Sequence, residues 1–261
     1  MPKLSVTIIT KDEEADIAAA IDSVAWADEI LVVDSLSTDR TTEIARGMRA
    51  PVVVIEREWP GYIAQKNFAA DQAAHDWILS LDADERVTPE LAAAIRQVLQ
   101  APAAAAYRMP RVTWHLGRWV RGTDWYPDHQ TRLYHRRRAR WSGKYVHEAV
   151  VVDGQVGLLN GDLQHFAYRD VSDHLETIDR YTSYAARQMF EAGRRASYWQ
   201  LLLHGPLAFL RNYIARGGIR LGTVGLIVSA MNGYYVFLKY AKLWELQGQP
   251  PVRPGDDTRP V

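Results

Sequence analysis

Four short runs in the first hundred residues are almost wholly apolar and rich in β-branched side chains: LSVTIIT (4–10), EILVVD (29–34), VVVIE (52–56) and WILSLD (77–82). Between them apolar positions recur at helical spacing, in EEADIAAAIDSVA (13–25), TDRTTEIARGM (38–48) and YIAQKNFAADQAA (62–74). After the fourth run, Thr88, Pro89 and Glu90 supply an N-cap, a first-turn proline and a first-turn acid to a helix through ELAAAIRQVLQ (90–100). Strands alternating with helices predict a parallel, doubly wound α/β sheet. Ligands of such sheets lie beyond the carboxyl ends of the strands. Those ends carry Thr10 to Glu14, Asp34 to Asp39, Glu56 and Asp82 to Glu85, so polar residues gather where a ligand is expected.

The pattern changes after residue 106. Residues 107–165 are aromatic and Arg-rich, with short strand-like runs HEAVVV (147–152) and VGLL (156–159), and read as a mixed, β-rich region. Residues 173–195 read as helix. Leu221 to Leu238 is 18 residues without a charge, bracketed by Arg216, Arg220, Lys239 and Lys242. Eighteen is the lower margin for a spanning helix, and Gly222, Gly225, Asn232 and Gly233 dilute its apolar character, so an in-plane helix on an anionic membrane surface is the expectation. The predicted organisation is an α/β half over 1–106, a second half of the same domain over 107–170, a helical, membrane-associating region over 171–247 and a disordered tail over 248–261.

Composition adds two constraints. There is no cysteine, which rules out disulfides, Cys-based zinc sites and a thiol nucleophile, and suits a reducing cytoplasm. The six-residue apolar run near the N-terminus is short for a secretory leader. Net charge is zero, yet residues 1–100 hold 9 Lys/Arg against 18 Asp/Glu and residues 101–261 hold 22 against 13, formal charges of −9 and +9. An acidic half suits cations, and a basic half suits anionic partners.

In an extended segment residues i and i+2 point the same way. Asp82 and Asp84 are therefore expected to face one side with Ala83 between them. Two hard carboxylates without Cys or nearby His match Mg²⁺ or Mn²⁺ that bridges to a substrate diphosphate, although an Asp cluster after a strand also serves to cap the next helix. No G-x-G-x-x-G follows the first strand, and the chain has no G-x-x-x-x-G-K-[ST], G-x-S-x-G or H-E-x-x-H. These absences argue against a dinucleotide dehydrogenase, a P-loop NTPase, an α/β-hydrolase and a zincin.

SVTIITKDEE, ILVVDSLSTDRTTEIA, AQKNFA and ILSLDADE, in that order and spacing, resemble the nucleotide-sugar-binding half of family 2 glycosyltransferases, whose fold is called GT-A. Farther on, YPDHQTRLYHRR, RW, VHE and HFAYRDVSDHLETIDRYT resemble the bacterial lipopolysaccharide core glycosyltransferase subgroup, associated with transfer of β-linked glucose. The resemblance implies a GT-A-type, mostly parallel sheet with a mixed acceptor-side region. It also implies an inverting hexosyltransferase that takes a nucleotide-diphosphate sugar, a UDP-hexose, to a glycolipid or oligosaccharide acceptor without nucleic acid. Glu13 matches the acid that approaches the nucleoside, Asp34 the Asp that approaches the base, and Asp82 with Asp84 the metal pair. Thr10 and Lys66 join them as expected nucleotide-sugar contacts, the other reading of Lys66 being a solvated helix residue. Asp128 falls where the family has the Asp of its E-D motif and is the expected catalytic base, with Glu148 second. The implied location is cytoplasmic and peripheral on the inner membrane. Leu36 stands where the family usually has Gly, and a positive φ there would strain it. Arg140-Trp141 match only the end of the Q-x-x-R-W pattern of processive synthases, with Arg137 at the Gln position, which points to a single transfer.

Other residues carry two readings. His147 and His165 are third metal ligands, phosphate contacts or structural. Trp114, Trp119, Trp125 and Tyr126 are an acceptor platform or packing. The ten Lys/Arg between Arg108 and Lys144, against two acids, are an anion-binding surface or a solvated face. A nucleotidyltransferase and a non-catalytic polyanion-binding membrane-surface protein are the alternatives in function. The first usually carries a Gly- and Lys-rich triphosphate loop that this chain lacks, and the second leaves the acidic half unexplained.

Overall fold

The computed structural model describes residues 2–144 and 147–248; the expected tail, apart from Gly248, lies outside them. The chain forms two compact units, Met1–Tyr168 and Arg169–Val261.

The first unit alternates β1 (Leu4–Thr10), α1 (Ile17–Ser23), β2 (Glu29–Asp34), α2 (Thr41–Gly47), β3 (Val52–Glu56), α3 (Tyr62–Gln72), β4 (Trp77–Asp82), β5 (Glu85–Val87) and α4 (Pro89–Gln100). It continues through β6 (Ala106–His115), β7 (Arg118–Val120), β8 (Asp128–His135), β9 (Ala139–Lys144), β10 (His147–Val152), β11 (Val156–Leu158) and β12 (Leu163–His165). The main path of the ten-stranded sheet runs β3-β2-β1-β4-β8-β6-β12-β5. Its first four strands are parallel, as the alternation predicts, and β8 inserts antiparallel between β4 and β6. β9 and β10 pair separately as a hairpin.

Period-two side chains build a core on each face of the sheet. Val6, Ile8, Ile30, Val32, Leu79 and Leu81 join Ile17, Ile21, Leu91 and Ile95 on one face. Ile9, Leu31, Val33 and Ile78 join Ala69, Ala70, Tyr134 and Trp141 on the other. β1 is buried along its whole length because both its faces and both its edges are covered. Each such Ile or Leu contributes about 1.5–3 kcal/mol of burial. Thr88 caps α4 by accepting from the Leu91 amide at 3.3 Å, with Pro89 in the first turn.

Two helices start later than their periodicity suggests. α1 begins at Ile17 and α2 at Thr41, because the residues before them are tied into a loop-to-loop web. Asp12 accepts from the Thr38 amide, Asp39 from the Glu14 amide, and Thr41 Oγ1 from the Glu13 amide, at 2.7, 3.0 and 2.8 Å. Side-chain bonds to backbone amides compete with the helix there.

The second unit holds α5 (Val171–Glu191), α6 (Tyr198–Leu210) and α7 (Gly222–Gly248), with π and 3₁₀ turns between the last two. Lys242 on α7 reaches Asp179 and Ser183 on α5, each at 2.7 Å. α6 meets α7 where Gly205 faces Gly233; a Cβ on Gly233 would lie 3.0 Å from the Gly205 carbonyl.

Candidate active site

Register brings the strand ends to one level. Thr10 stands opposite Asp34, and Ile9 opposite Asp82. β8 runs antiparallel to β4, with Leu133 opposite Leu79, so its first residue, Asp128, lies at the edge where β4 finishes. Arg111 of β6 faces Asp128 across the ladder.

Asp82 ends β4, and the extended geometry expected through Asp84 ends with it. Ala83 and Asp84 form a turn into β5, since the chain reverses there to pair β5 with β12. The two aspartates accordingly take different partners. Asp82 Oδ2 accepts from Arg132 at 2.7 Å and its Oδ1 lies 3.0 Å from Lys66 Nζ. Asp84 Oδ2 lies 3.2 Å from His165 Nε2, and its buried Oδ1 has no hydrogen-bond partner.

From Asp82 a line of alternating charges extends both ways. Arg132 Nη2 also donates to Glu85 Oε1 at 2.6 Å, and Glu85 takes Arg111 Nη1 at 3.2 Å. Arg111 donates to Asp128 Oδ2 through Nε and Nη2, at 3.0 and 2.7 Å. On the other side Lys66 Nζ lies 3.8 Å from Glu148 Oε2. The order is Glu148, Lys66, Asp82, Arg132, Glu85, Arg111, Asp128, with the two expected bases at its ends. Burying ions is expensive unless each has a partner, and Lys66, Arg132 and Glu85 are all buried.

Electrostatics follow from this order. Burial pushes the Asp82 carboxyl up, but Arg132 and Lys66 outweigh it and hold it well below the usual carboxylate range. Burial alone would lower Arg132 and Arg111, yet their carboxylate partners raise both guanidinium groups. Glu148 moves the other way: burial raises its carboxyl, with Lys66 pulling against.

Trp141, the Trp of the RW pair, floors this arrangement. Lys66 Nζ sits 4.3 Å from its ring centroid and the Arg132 guanidinium 5.5 Å. Asn67 fixes that strand to α3 by accepting from the Trp141 amide at 3.1 Å and donating to its carbonyl at 2.9 Å. Beside Glu148 an open cleft of about 550 Å³ is lined by Pro60, Gly61, Tyr62 and Asn67.

The remaining expected residues are dispersed along the edge. Asp34 is buried and accepts from the Ser37 amide at 2.8 Å and the Ser37 hydroxyl at 2.5 Å. That turn places Leu36 at φ 58°, the strained conformation its sequence position implies. Thr10 is buried with Oγ1 unpartnered, as is Gln65 Oε1, near Ser35. Glu13 lies in the loop web through its backbone. The side chain of His147 lies outside the described residues.

The Arg-rich segment divides. Arg111 and Arg132 enter the site, whereas Arg136 and Arg137 pair with Asp76, and Arg140 with Asp71, around the opposite end of β4. The aromatic residues pack in pairs: Trp114 on Trp119 at 5.1 Å, and Trp125 on Tyr168 at 5.5 Å. Tyr126 donates to Asp162 at 3.0 Å. Sequence reasoning left Arg132, Arg111 and Glu85 without roles. An Arg at an inward strand position opposite an acidic strand end is the signal, and it appears only once the β4–β8 register is known.

Asp82 and Asp84 offer hard oxygen donors, and the unpartnered Asp84 oxygen suits a divalent cation. Among the described residues no three His, Asp or Glu side chains cluster as a ready metal cage.

Comparison with known proteins agrees with this architecture. Lipopolysaccharide core biosynthesis glycosyltransferase LpsC of Rhizobium meliloti (strain 1021) is 32% identical over 97% of this chain and 97% of its own. The uncharacterized glycosyltransferase RT0209 of Rickettsia typhi (strain ATCC VR-144 / Wilmington) is 32% identical over 94% of this chain and 88% of its own. In fold, the chain resembles S. aureus TarS 1-349, solved in complex with UDP-GlcNAc, with TM-score 0.51 and 14% identity over 95% of this chain and 92% of that one. The model of "Glycosyl transferase family 2" matches residues 5–152, more than half of the chain, and with the full-length likeness to LpsC this establishes the protein as a member of that glycosyltransferase family.

Proposed function

We propose that the protein is an inverting hexosyltransferase that moves a sugar from a UDP-hexose to a lipopolysaccharide-core or related anionic glycolipid acceptor. The observation that carries the proposal is the alternating charge line at the carboxyl edge. It supplies cations beside the place for a diphosphate and a carboxylate at either end for the acceptor proton. The likeness to LpsC, a lipopolysaccharide core biosynthesis glycosyltransferase, supports the acceptor class. The UDP-GlcNAc bound by TarS suggests the donor class.

In the proposed step an acceptor hydroxyl oxygen attacks the anomeric carbon, the bond from that carbon to the diphosphate oxygen breaks, and the hydroxyl proton passes to a carboxylate. UDP leaves from the opposite face, so the configuration inverts. Asp128 is the proposed base, held in place by Arg111 and by Gln130, which donates to it at 2.8 Å. Thr10, Glu13 and Asp34 are the proposed nucleoside contacts, and Lys66 and Arg132 the proposed counter-charges to diphosphate. Asp84, with Asp82, would hold Mg²⁺ or Mn²⁺, which when bound neutralises charge developing on the leaving group.

Glu148 is the second reading for the base, favoured by one observation: burial raises its carboxyl, whereas Arg111 engages Asp128. A base is most effective when its pKa approaches the working pH. Single-turnover transfer from UDP-hexoses to deacylated lipopolysaccharide-core oligosaccharide, with donor binding measured in parallel and the product anomer read by NMR, tests the scheme. Asp128→Asn should bind donor normally and transfer about 10²–10⁴-fold more slowly. Near-normal transfer by Asp128→Asn with a dead Glu148→Gln assigns the base to Glu148. Retention of configuration, or no transfer from any UDP-sugar, overturns the proposal.

A further inference from the structure

The sequence points to Leu221–Leu238 as the membrane-seeking segment; in α7 that run is divided, its small residues turned inward and Leu226, Tyr234 and Phe237 left exposed. Gly225, Val228, Ser229 and Gly233 are buried within the helical unit. Although Gly218–Gly248 is long and apolar enough to cross a membrane by length and composition, the unusual surface lies on α6 and the turns after it.

On α6 the buried positions are Gly205 and Ala208, followed by Asn212 in the π turn. These are small or polar. The outward positions Trp199, Leu203, Leu207, Leu210 and Ile214, spaced by three or four residues, form an apolar stripe on one side of the helix. Trp199 is 66%, Leu207 57% and Ile214 62% exposed. A helix covered only by water has the opposite polarity, with its apolar stripe inward. A contiguous apolar patch of this kind marks a docking surface.

Charge identifies the occupant. Residues 192–244 contain seven Lys/Arg and no Asp or Glu. Arg211, Arg216 and Arg220 are exposed at the end of the stripe. Aromatic side chains stand at its start, where Tyr198 and Trp199 pack at 5.6 Å, matching the preference of Trp and Tyr for a headgroup boundary. The uncharged part of α6 is 13 residues long, roughly 20 Å of helix and too short to span a hydrocarbon core. We propose that α6 and its following turn lie in the plane of an anionic phospholipid surface, with Trp199, Leu203, Leu207, Leu210 and Ile214 entering the acyl boundary and the arginines meeting lipid phosphates. This surface stands on its own observations and does not depend on the proposed sugar transfer.

Flotation of the full chain with phosphatidylglycerol/phosphatidylethanolamine vesicles, and with phosphatidylcholine vesicles, tests it. The wild type should float with the anionic vesicles, more weakly as salt rises, and poorly with phosphatidylcholine. Leu207→Glu/Ile214→Glu, at exposed positions, should keep its thermal midpoint and lose vesicle affinity by roughly thirtyfold or more. Unchanged flotation of this variant overturns the proposal. So does absence of flotation by the wild type, and a wild-type dimer that the double variant converts to monomer reassigns the stripe to a second copy of the chain. Transfer to a soluble, deacylated acceptor should be the same in both proteins; its absence in both, with flotation intact, refutes the transfer reading and leaves the membrane surface standing.

Discussion

Leu36 places a half-exposed side chain at φ 58° just beyond Asp34 and Ser35. A left-handed conformation costs a non-glycine residue about 1–2 kcal/mol, and glycine loses about 0.5–1 kcal/mol through unfolded-state entropy. Leu36→Gly should therefore stabilise the protein by about 0.5–1 kcal/mol, measurable by urea unfolding; a destabilised variant would mean that the leucine makes packing worth more than its strain. Glu85 is the opposite case, fully buried between Arg132 and Arg111 and accepting from the Asp82 amide at 3.1 Å. Glu85→Gln leaves Arg132 with a single carboxylate, and breaking such a buried pair costs about 3–5 kcal/mol. A urea midpoint equal to wild type would show that the guanidinium finds another partner.

At the scale of elements, the entry into α7 is set by close backbone approach. A Cβ on Gly225 would stand 1.8 Å from the Gly218 carbonyl oxygen, which no rotamer change relieves. Gly225→Ala should lower stability by at least about 2 kcal/mol, seen as loss of helical signal at a lower temperature. The other helix entry is gentler. Thr88→Ala removes the side-chain acceptor for the Leu91 amide and should cost about 1 kcal/mol, with α4 itself retained because Leu91, Ile95 and Leu99 remain buried.

For the whole molecule, the charge line makes stability depend on pH in two opposed ways. Asp82 is held below its ordinary value by Arg132 and Lys66, so its contribution is complete above the unfolded value, near pH 4, and is lost as pH falls through the folded one. The stability gap between wild type and Asp82→Asn should therefore close on acidification below about pH 4. Glu148 is raised by burial, so its ionisation opposes folding as pH rises from the unfolded value through the folded one. Glu148→Gln should gain relative to wild type as pH rises above the ordinary glutamate value, about 4.3. Thermal midpoints measured on both sides of about pH 4 check the two signs, and parallel curves for either variant refute the corresponding assignment.

The parallel strands, their helices and the Thr88 cap were legible because hydrophobic period and cap chemistry are local properties, written into a few consecutive residues. Local order also located Asp82 and Asp84 as polar residues at a strand end, and the ordered motifs pointed to the family and, through that resemblance, to Asp128 with Glu148 second. What local order left open was which groups touch. Asp82 and Asp84 part because the chain turns at Ala83, a turn that follows from β5 pairing with a strand almost eighty residues later. Arg132 reaches Asp82 because β8 docks antiparallel on β4 in one register, and a slip by one residue would point it to the other face. The outward apolar stripe of α6 became visible only when Gly205 and Gly233 fixed which side of that helix turns inward. Pairings across long loops depend on the free energy of the whole sheet or helix packing, and no window of neighbouring residues contains it.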